Sequence, residues 1–519
     1  MIALFAVVLP ALGKPPVADE ESYLFMAEAI SNHPLRPYDW WRIWQPWGQE
    51  PAQTTYAFAH PPLHIWWLSL TQGLFSPGPL GRLVSSAPFL ALYAWSAHRL
   101  CWRLSRHPNH ALGFLLASPV LILGLQDTWM IDLGVLALST ASVALYREAL
   151  LQRDTLNTSQ LLRAGLLLGL AAGYKYPALV LLVLFAAHLY RAGLLRKSRA
   201  LWLGFLGPFA LLQGFLWMQY GEIHVVAALQ SVSEIDRSPL ADRTSGLLVR
   251  LGFALSPLAL FSSKQLLRGL PVGLLFGGVA SYCLGRGDLG PLQMVVLLAL
   301  ASTGGTFVVR ATLASVSRSR RRRQGDRDDS FLLGGWVLLV VVSIVLGHNH
   351  ADSRYLLPAL LPMTLLVVRS ASLVQGGKRV LQVSAYLWGA VALLTSLADM
   401  RLAKATDTLA QKMIQEHEPG RFNAEWTARW RLEEAGWTYW HHSEPLPAGA
   451  RVLLFSNAGS SKPPDNASII ASAASPARFP FRVLDWETDA GYHSEQLGRL
   501  PLTWANSALT SALLYEVSP

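Results

Sequence analysis

Long apolar stretches recur along the 519-residue chain, separated by short polar or charged connections. Thirteen of them, at 1–14, 80–102, 111–127, 130–147, 162–174, 177–190, 199–219, 246–263, 269–285, 290–309, 330–347, 356–370 and 380–398, stand out. Many approach the roughly 20 residues an α-helix needs to cross hydrocarbon. Backbone groups in lipid must be hydrogen-bonded within their own segment, so the pattern predicts an all-α multi-pass bundle of about 13 transmembrane helices. The two short runs at 162–174 and 177–190 flank Tyr174-Lys175-Tyr176-Pro177, and one long helix is the rival reading there. The pattern ends near residue 400. Segment 400–519 has no spanning run and is rich in charge, Trp and His. Within it Arg451-Val452-Leu453-Leu454-Phe455 reads as a strand and 423–437 as an amphipathic helix, so a C-terminal α+β domain is expected. The expected division is 1–399 for the membrane part, with a first outside loop at about 14–79, and 400–519 for the C-terminal domain.

Charge orients the bundle. With the N-terminus inside, the cytoplasmic connections carry 22 Lys and Arg and the outside connections 8, as the positive-inside rule requires. Merging the two short runs would invert everything downstream and put the basic run Arg318-Ser319-Arg320-Arg321-Arg322-Arg323 outside. Thirteen spans and an extracytoplasmic C-terminal domain follow. The basic run then reads as a solvated cytoplasmic loop near anionic lipid, and the net charge of +10 calls for no nucleic acid.

Composition agrees. The chain is 52% hydrophobic and 15% charged, where a soluble enzyme would carry about a quarter charged residues. Cys101 and Cys283 form no disulfide framework or metal-type spacing. The first run is short, and no Lys or Arg precedes it. A cleaved signal peptide is the rival there. Its basic n-region is missing, which favours a first helix that begins upstream of the given start.

Several polar clusters fall on one expected side of the membrane. Ala18-Asp19-Glu20-Glu21-Ser22-Tyr23 follows the first run, and a helix there would aim Asp19 and Tyr23 the same way. The same acids can simply cap that helix. His60-Pro61-Pro62-Leu63 marks re-entry into an apolar helix, with His60 held at the interface or structural there. Asp127 and Asp132 lie in a tight outside turn, where an ionisable group is costly without a partner. Lys175 sits between the short runs, and His348-Asn349-His350-Ala351-Asp352-Ser353-Arg354-Tyr355 lies late in the chain. Lys175 and Arg354 suit an anionic group such as phosphate. The His348/His350 spacing alone is weak evidence for a metal. Glu222 and His224 also fall outside, as ligands or plain loop residues.

In this order, the acidic motif with Tyr, the His-Pro-Pro-Leu entry, the Asp before a helix, Gly-Tyr-Lys and Arg-Tyr-Leu-Leu-Pro resemble the GT-C glycosyltransferases of family 39 type. These include protein O-mannosyltransferases and the bacterial transferase that adds aminoarabinose to lipid A. His60-Pro61-Pro62-Leu63 is similar to the mannosyltransferase version, whereas the aminoarabinose enzymes tend to have Lys before the proline. The resemblance covers roughly residues 1–400, and each motif is short.

It implies an enzyme of the bacterial inner membrane that moves a sugar from a polyprenyl-phosphate donor to an envelope glycan, lipid or protein acceptor, with inversion. By the same resemblance Asp19 is the base and Glu20 completes the acidic pair. Asp132 or Asp127 stands for the second-loop acid, Lys175, Arg354 and Tyr355 contact the donor phosphate, and His60 and Tyr23 line the acceptor entry. No cofactor is required, although a divalent metal could join the acids. Other classes compete. A lipid-linked glycan transporter or flippase would favour midplane charges and repeat symmetry, neither of which the sequence has. An O-antigen ligase-like protein would depend on a large basic outside loop rather than an early acidic one.

Overall fold

The computed structural model describes residues 6–40, 60–150, 156–234, 238–285, 289–316, 324–456, 463–476, 479–485, 487–493 and 496–518. The start of the first apolar run, loop residues 41–59 and the basic run at 318–323 lie outside the described residues. The labelled helices are α1 (Glu20–Ser31), α2 (Leu63–Phe75), α3 (Pro79–Leu104), α4 (Ile131–Ala149), α5 (Thr158–Tyr174), α6 (Val180–Arg191), α7 (Gln324–Gly347), α8 (Leu357–Ala371), α9 (Gly377–Glu416) and α10 (Trp426–Glu434).

Every expected apolar run from 80 onward is helical. By length and composition, Arg199–Tyr220, Pro291–Val316, Asp328–Gly347, Ser353–Ala371 and Gly377–Glu416 can cross a membrane. The run expected at 111–127 is instead two helices, Pro108–Leu116 and Pro119–Gln126, bent by 68°. Pro119 causes the break: it offers no N–H, and it holds Ser118 in an extended conformation (ψ 121°). Other runs are shorter, as Leu270–Leu284 is, or carry a charge turned inward, as α3 does with Arg82.

The stretch around Lys175 is two helices rather than one. Lys175 is extended (φ −156°, ψ 127°), a short 3-10 turn spans Tyr176–Leu179, and α6 begins at Val180. Asn157 caps the start of α5 by accepting from the Gln160 N–H at 3.0 Å. The rest of α5 lies backbone to backbone on the helix Arg199–Tyr220. A Cβ at Gly165 would meet the Leu201 carbonyl oxygen at 2.1 Å, and one at Gly169 the Phe205 carbonyl oxygen at 2.6 Å. Small residues four apart allow this approach, which substitutes for the hydrophobic drive that lipid does not provide. Lys175 is thereby set at the end of a tightly held helix.

α9 runs 40 residues without a break. Its last turns supply Leu409, Ala410 and Met413 to a core with Phe422, Leu432, Trp437, Leu453, Phe455 and Leu514. That core belongs to the C-terminal α+β unit, which has nine strands: β1 (Arg421–Asn423), β2 (Thr438–Tyr439), β3 (Arg451–Phe455), β4 (Ala467–Ala474), β5 (Phe481–Arg482), β6 (Leu484–Asp485), β7 (Ala490–Gly491), β8 (Thr503–Trp504) and β9 (Ser511–Val517), counted among the described residues. The sheet order is β2-β1-β3-β9-β4, with β1 parallel to β2 and β3, and β9 antiparallel to β3 and β4. The strand expected at 451–455 is β3, and the helix expected within 423–437 is α10. The stretch between β5 and β8 turns away from this sheet. Its Val483, Leu484, Tyr492 and Leu500 pack into the core of the helical bundle.

Candidate functional site

Six carboxylates and four cations from distant parts of the chain meet near the start of α1, and they divide into two groups. The first is a buried clamp. Arg82, on α3, pairs with Glu20 at 2.9 Å and donates to Thr128 Oγ1 at 3.1 Å and the Lys14 carbonyl at 3.0 Å. Its guanidinium lies 3.7 Å from the centre of the Trp129 ring. Glu20, 0% exposed, also accepts from the Trp129 and Val17 N–H groups at 3.0 and 3.2 Å. Lys14 pairs with Asp127 at 2.5 Å and also contacts Asp399 of α9. Every oxygen and nitrogen of this kind is expensive to bury alone, so the clamp fixes four segments of chain against one another.

The second group is open. Asp19 precedes α1 at its N-cap position, yet its side chain makes no capping bond. The carboxylate turns instead to Arg354 Nη2, at 2.7 Å, and stays 36% exposed. Ala18 produces this divergence from Glu20: it adopts a left-handed conformation (φ 47°) that a non-glycine residue enters at a cost of about 1–2 kcal/mol. The Nε of Arg354 reaches Asp352 at 2.6 Å and Asp132 at 4.0 Å. Asp132, in the first turn of α4, pairs with Lys175 at 2.9 Å. The Tyr355 ring lies between the cations, 4.9 Å from Lys175 Nζ and 5.4 Å from the Arg354 guanidinium carbon.

Aromatic and imidazole groups surround these charges. His348 stacks on Tyr355 with ring centres 4.0 Å apart, and His350 lies 5.7 Å from the same ring. Tyr23 is buried edge-on against His64 at 5.1 Å and lies 6.4 Å from His60. Burial and the Lys175 charge push His60 down to about 3, and burial with Arg354 does the same to His350. Both imidazoles are therefore neutral near pH 7. Burial alone would raise the Asp19 carboxyl, but the adjacent Arg354 guanidinium outweighs it and holds the group below the ordinary 3.8.

A groove opens from this cluster. Asp132, Lys175, Arg354, Tyr355 and His348 line its polar mouth, and Val135, Leu181, Trp336, Val340 and Ile344 its apolar length. It runs between α4, α6 and α7, so the apolar portion is built from helices of the membrane part. One end carries Lys175 and Arg354, each paired with carboxylates; the other is apolar apart from Ser139 and Ser343. Such a cavity can take an amphiphile with an anionic head.

Of the residues expected from sequence, Asp19, Asp132, Lys175, Arg354 and Tyr355 are gathered in the open group, with Tyr23 and His60 behind Asp19. Glu20 and Asp127 are held in the buried clamp. Lys14, Arg82 and Asp399 carry no local signal in the sequence, because their partners are remote in the chain. Asp352 was visible only as part of a motif, and His493 of the C-terminal domain gave no signal at all. Among the described residues no three His, Cys, Asp or Glu side chains come together as a metal-ligand set. The open acids face Lys175 and Arg354 instead.

No family model matches the chain, and no curated protein matches it. Among solved structures it is similar to the crystal structure of ArnT from Cupriavidus metallidurans bound to undecaprenyl phosphate, with 14% identity and a TM-score of 0.41 over 91% of this chain and 95% of that one. The apo state of the same protein gives 15% identity and a TM-score of 0.39 over 87% and 91%. A likeness this distant transfers neither a residue role nor a substrate.

Proposed function

We propose that the protein is an inverting membrane glycosyltransferase of GT-C type that uses a polyprenyl-phosphate-linked sugar. The observation that supports it most is the groove: a hydrocarbon-lined channel whose mouth carries Lys175 and Arg354 beside the part-exposed carboxylate of Asp19. The order of short motifs along the chain supports the same reading.

The donor's isoprenoid chain occupies the apolar length, and its phosphate sits between Lys175 and Arg354. The acceptor hydroxyl attacks the anomeric carbon from the face opposite the phosphate, and Asp19 takes its proton. The bond from carbon to phosphate oxygen breaks with its electron pair, and the two cations stabilise the charge that develops on the leaving phosphate. No strong general acid is needed. Arg354 keeps Asp19 ionised but also weakens it as a base, and a base works best with a pKa near the operating pH. The arriving phosphate competes for Arg354 and so raises the basicity of Asp19 when the donor is in place. Glu20 and Asp127 hold the fold and take no part in the transfer.

The test is binding of undecaprenyl phosphate to the purified full-length protein in nanodiscs. Wild type is expected to bind, and Lys175→Met to bind at least about tenfold more weakly, the loss of one charge-assisted contact of about 1.5–3 kcal/mol. Because that change strands Asp132, the double variant Lys175→Met/Asp132→Asn serves as the folding control and should remain as weak. Undiminished binding in both variants would remove the phosphate from this site. A transporter would release the lipid-linked sugar intact, whereas an enzyme leaves free polyprenyl phosphate.

The same reading puts the site and the C-terminal domain on the extracytoplasmic side. An alkaline phosphatase fusion after residue 519 is expected to be active, and an active cytoplasmic reporter at that position would overturn the threading.

A further inference from the structure

We propose that the C-terminal domain completes the site on its acceptor side, with His493 as the residue that holds the acceptor hydroxyl beside Asp19; this rests on the glycosyl-transfer reading above. The segment that carries His493 is stitched to the site loop. The Tyr492 carbonyl accepts from Ser353 Oγ at 2.6 Å and from the Ser353 N–H at 3.4 Å. Ser353 stands between Asp352 and Arg354, so the position of His493 is set against the loop that supplies the site's cation. Arg250, fully buried, donates to the carbonyls of Gly491 and Gly498 and fastens the same segment from the bundle side.

A second fastening comes from α10. The Trp426 ring lies 5.6 Å from the His493 ring, and the neighbouring Thr427 donates to the Pro16 carbonyl, three residues before Asp19. His493 therefore lies where the Asp19 segment, the Asp352–Arg354 loop and α10 converge, within electrostatic reach of both Asp19 and Asp352. It is not part of the groove that the donor would fill.

The imidazole is 7% exposed, and its Nδ1 has no hydrogen-bond partner among the described residues. A buried polar atom without a partner costs about 1–3 kcal/mol, so folding tolerates this arrangement only where something outweighs it. Burial holds the imidazole below its ordinary pKa, so it is neutral and offers one donor and one acceptor. A hydroxyl that must give its proton to a carboxylate is served well by such a group, which can fix its oxygen without competing for the proton. The acceptor this arrangement favours is an alcohol, delivered from the C-terminal side while the donor stays in the groove.

The experiment uses two readouts on the full chain. One is binding of undecaprenyl phosphate to purified protein, and the other is the envelope product lost on deletion of the gene and restored by a plasmid copy. His493→Ala is expected to bind undecaprenyl phosphate as wild type does and to restore at least about tenfold less product, in line with loss of one hydrogen bond to the reacting group. His493→Asn, whose amide can reach the position of Nδ1, is expected to recover a large part of it. Full product from His493→Ala overturns the inference. Loss of product that His493→Asn does not relieve, or that comes with equal loss of lipid binding, assigns His493 to packing and overturns it as well. Wild type that fails to bind undecaprenyl phosphate overturns the donor reading itself, and this inference with it.

Discussion

Asp19→Asn is expected to abolish sugar transfer while the protein folds and inserts as wild type does. The side chain is 36% exposed, caps no helix, and among the described residues pairs with Arg354, which keeps Asp352 at 2.6 Å when Asp19 is neutralised. Asparagine nearly matches aspartate in shape, so the left-handed turn at Ala18 and the start of α1 should persist. What disappears is the proposed base. Removing a positioned general base typically costs about 10²–10⁴-fold in rate. The envelope product should fall below detection in cells carrying Asp19→Asn, with undecaprenyl phosphate binding no weaker than in wild type and a thermal midpoint lowered only by the loss of one part-exposed ion pair. Normal product would reassign the base.

The pH dependence has a definite sign. Arg354 outweighs burial and lowers the folded pKa of Asp19 below 3.8, so its ion pair contributes stability above 3.8 and loses that contribution as the pH falls through the lower folded value. Asp19 stays ionised across neutral pH, so its titration should give lipid binding at Arg354 no pH dependence there. The kcat/KM for the donor, which reports the free enzyme, should show no acid limb from Asp19 above 3.8.

Arg82→Met is the second large effect, and it falls on the fold. The guanidinium is fully buried, donates to Glu20 and Thr128 and lies on Trp129. Removing one partner of a buried pair leaves the other charge stranded, which costs about 3–5 kcal/mol. Arg82→Met is therefore expected to lower the thermal midpoint in detergent sharply and to reduce the amount of folded protein in the membrane. Arg82→Met/Glu20→Gln removes the stranded charge and should recover much of the loss. A single variant as stable as wild type would show that the clamp contributes little, and that Asp19 owes its position to something else.

Much of the site was legible before any coordinates. Charge bias and the alternation of apolar runs put Asp19, Asp132, Lys175 and Arg354 on one side, and the short motifs gave them an order. What could not be read was the division of labour among neighbouring acids. Asp19 and Glu20 are adjacent, yet one faces Arg354, 335 residues away, and the other Arg82, 62 residues away. A carboxylate's role depends on which cation reaches it, and nothing local encodes that. The helix-capping reading of Asp19 failed for the same reason: the side chain had a stronger partner in Arg354 than the orphan N–H groups of its own helix.

The sequence by itself determined a bundle of apolar helices with an α+β region late in the chain, because apolar length and its interruption are properties of contiguous residues. It also determined the break at Lys175, since Pro177 and a charge between apolar halves act locally. Only the tertiary structure decided which carboxylates are clamped and which are open, how the groove joins its cations to its apolar walls, and that His493 returns to the site from the far end of the chain. Those outcomes depend on contacts between segments hundreds of residues apart, where Coulomb attraction and the cost of burying an unpaired charge select partners that no local pattern records.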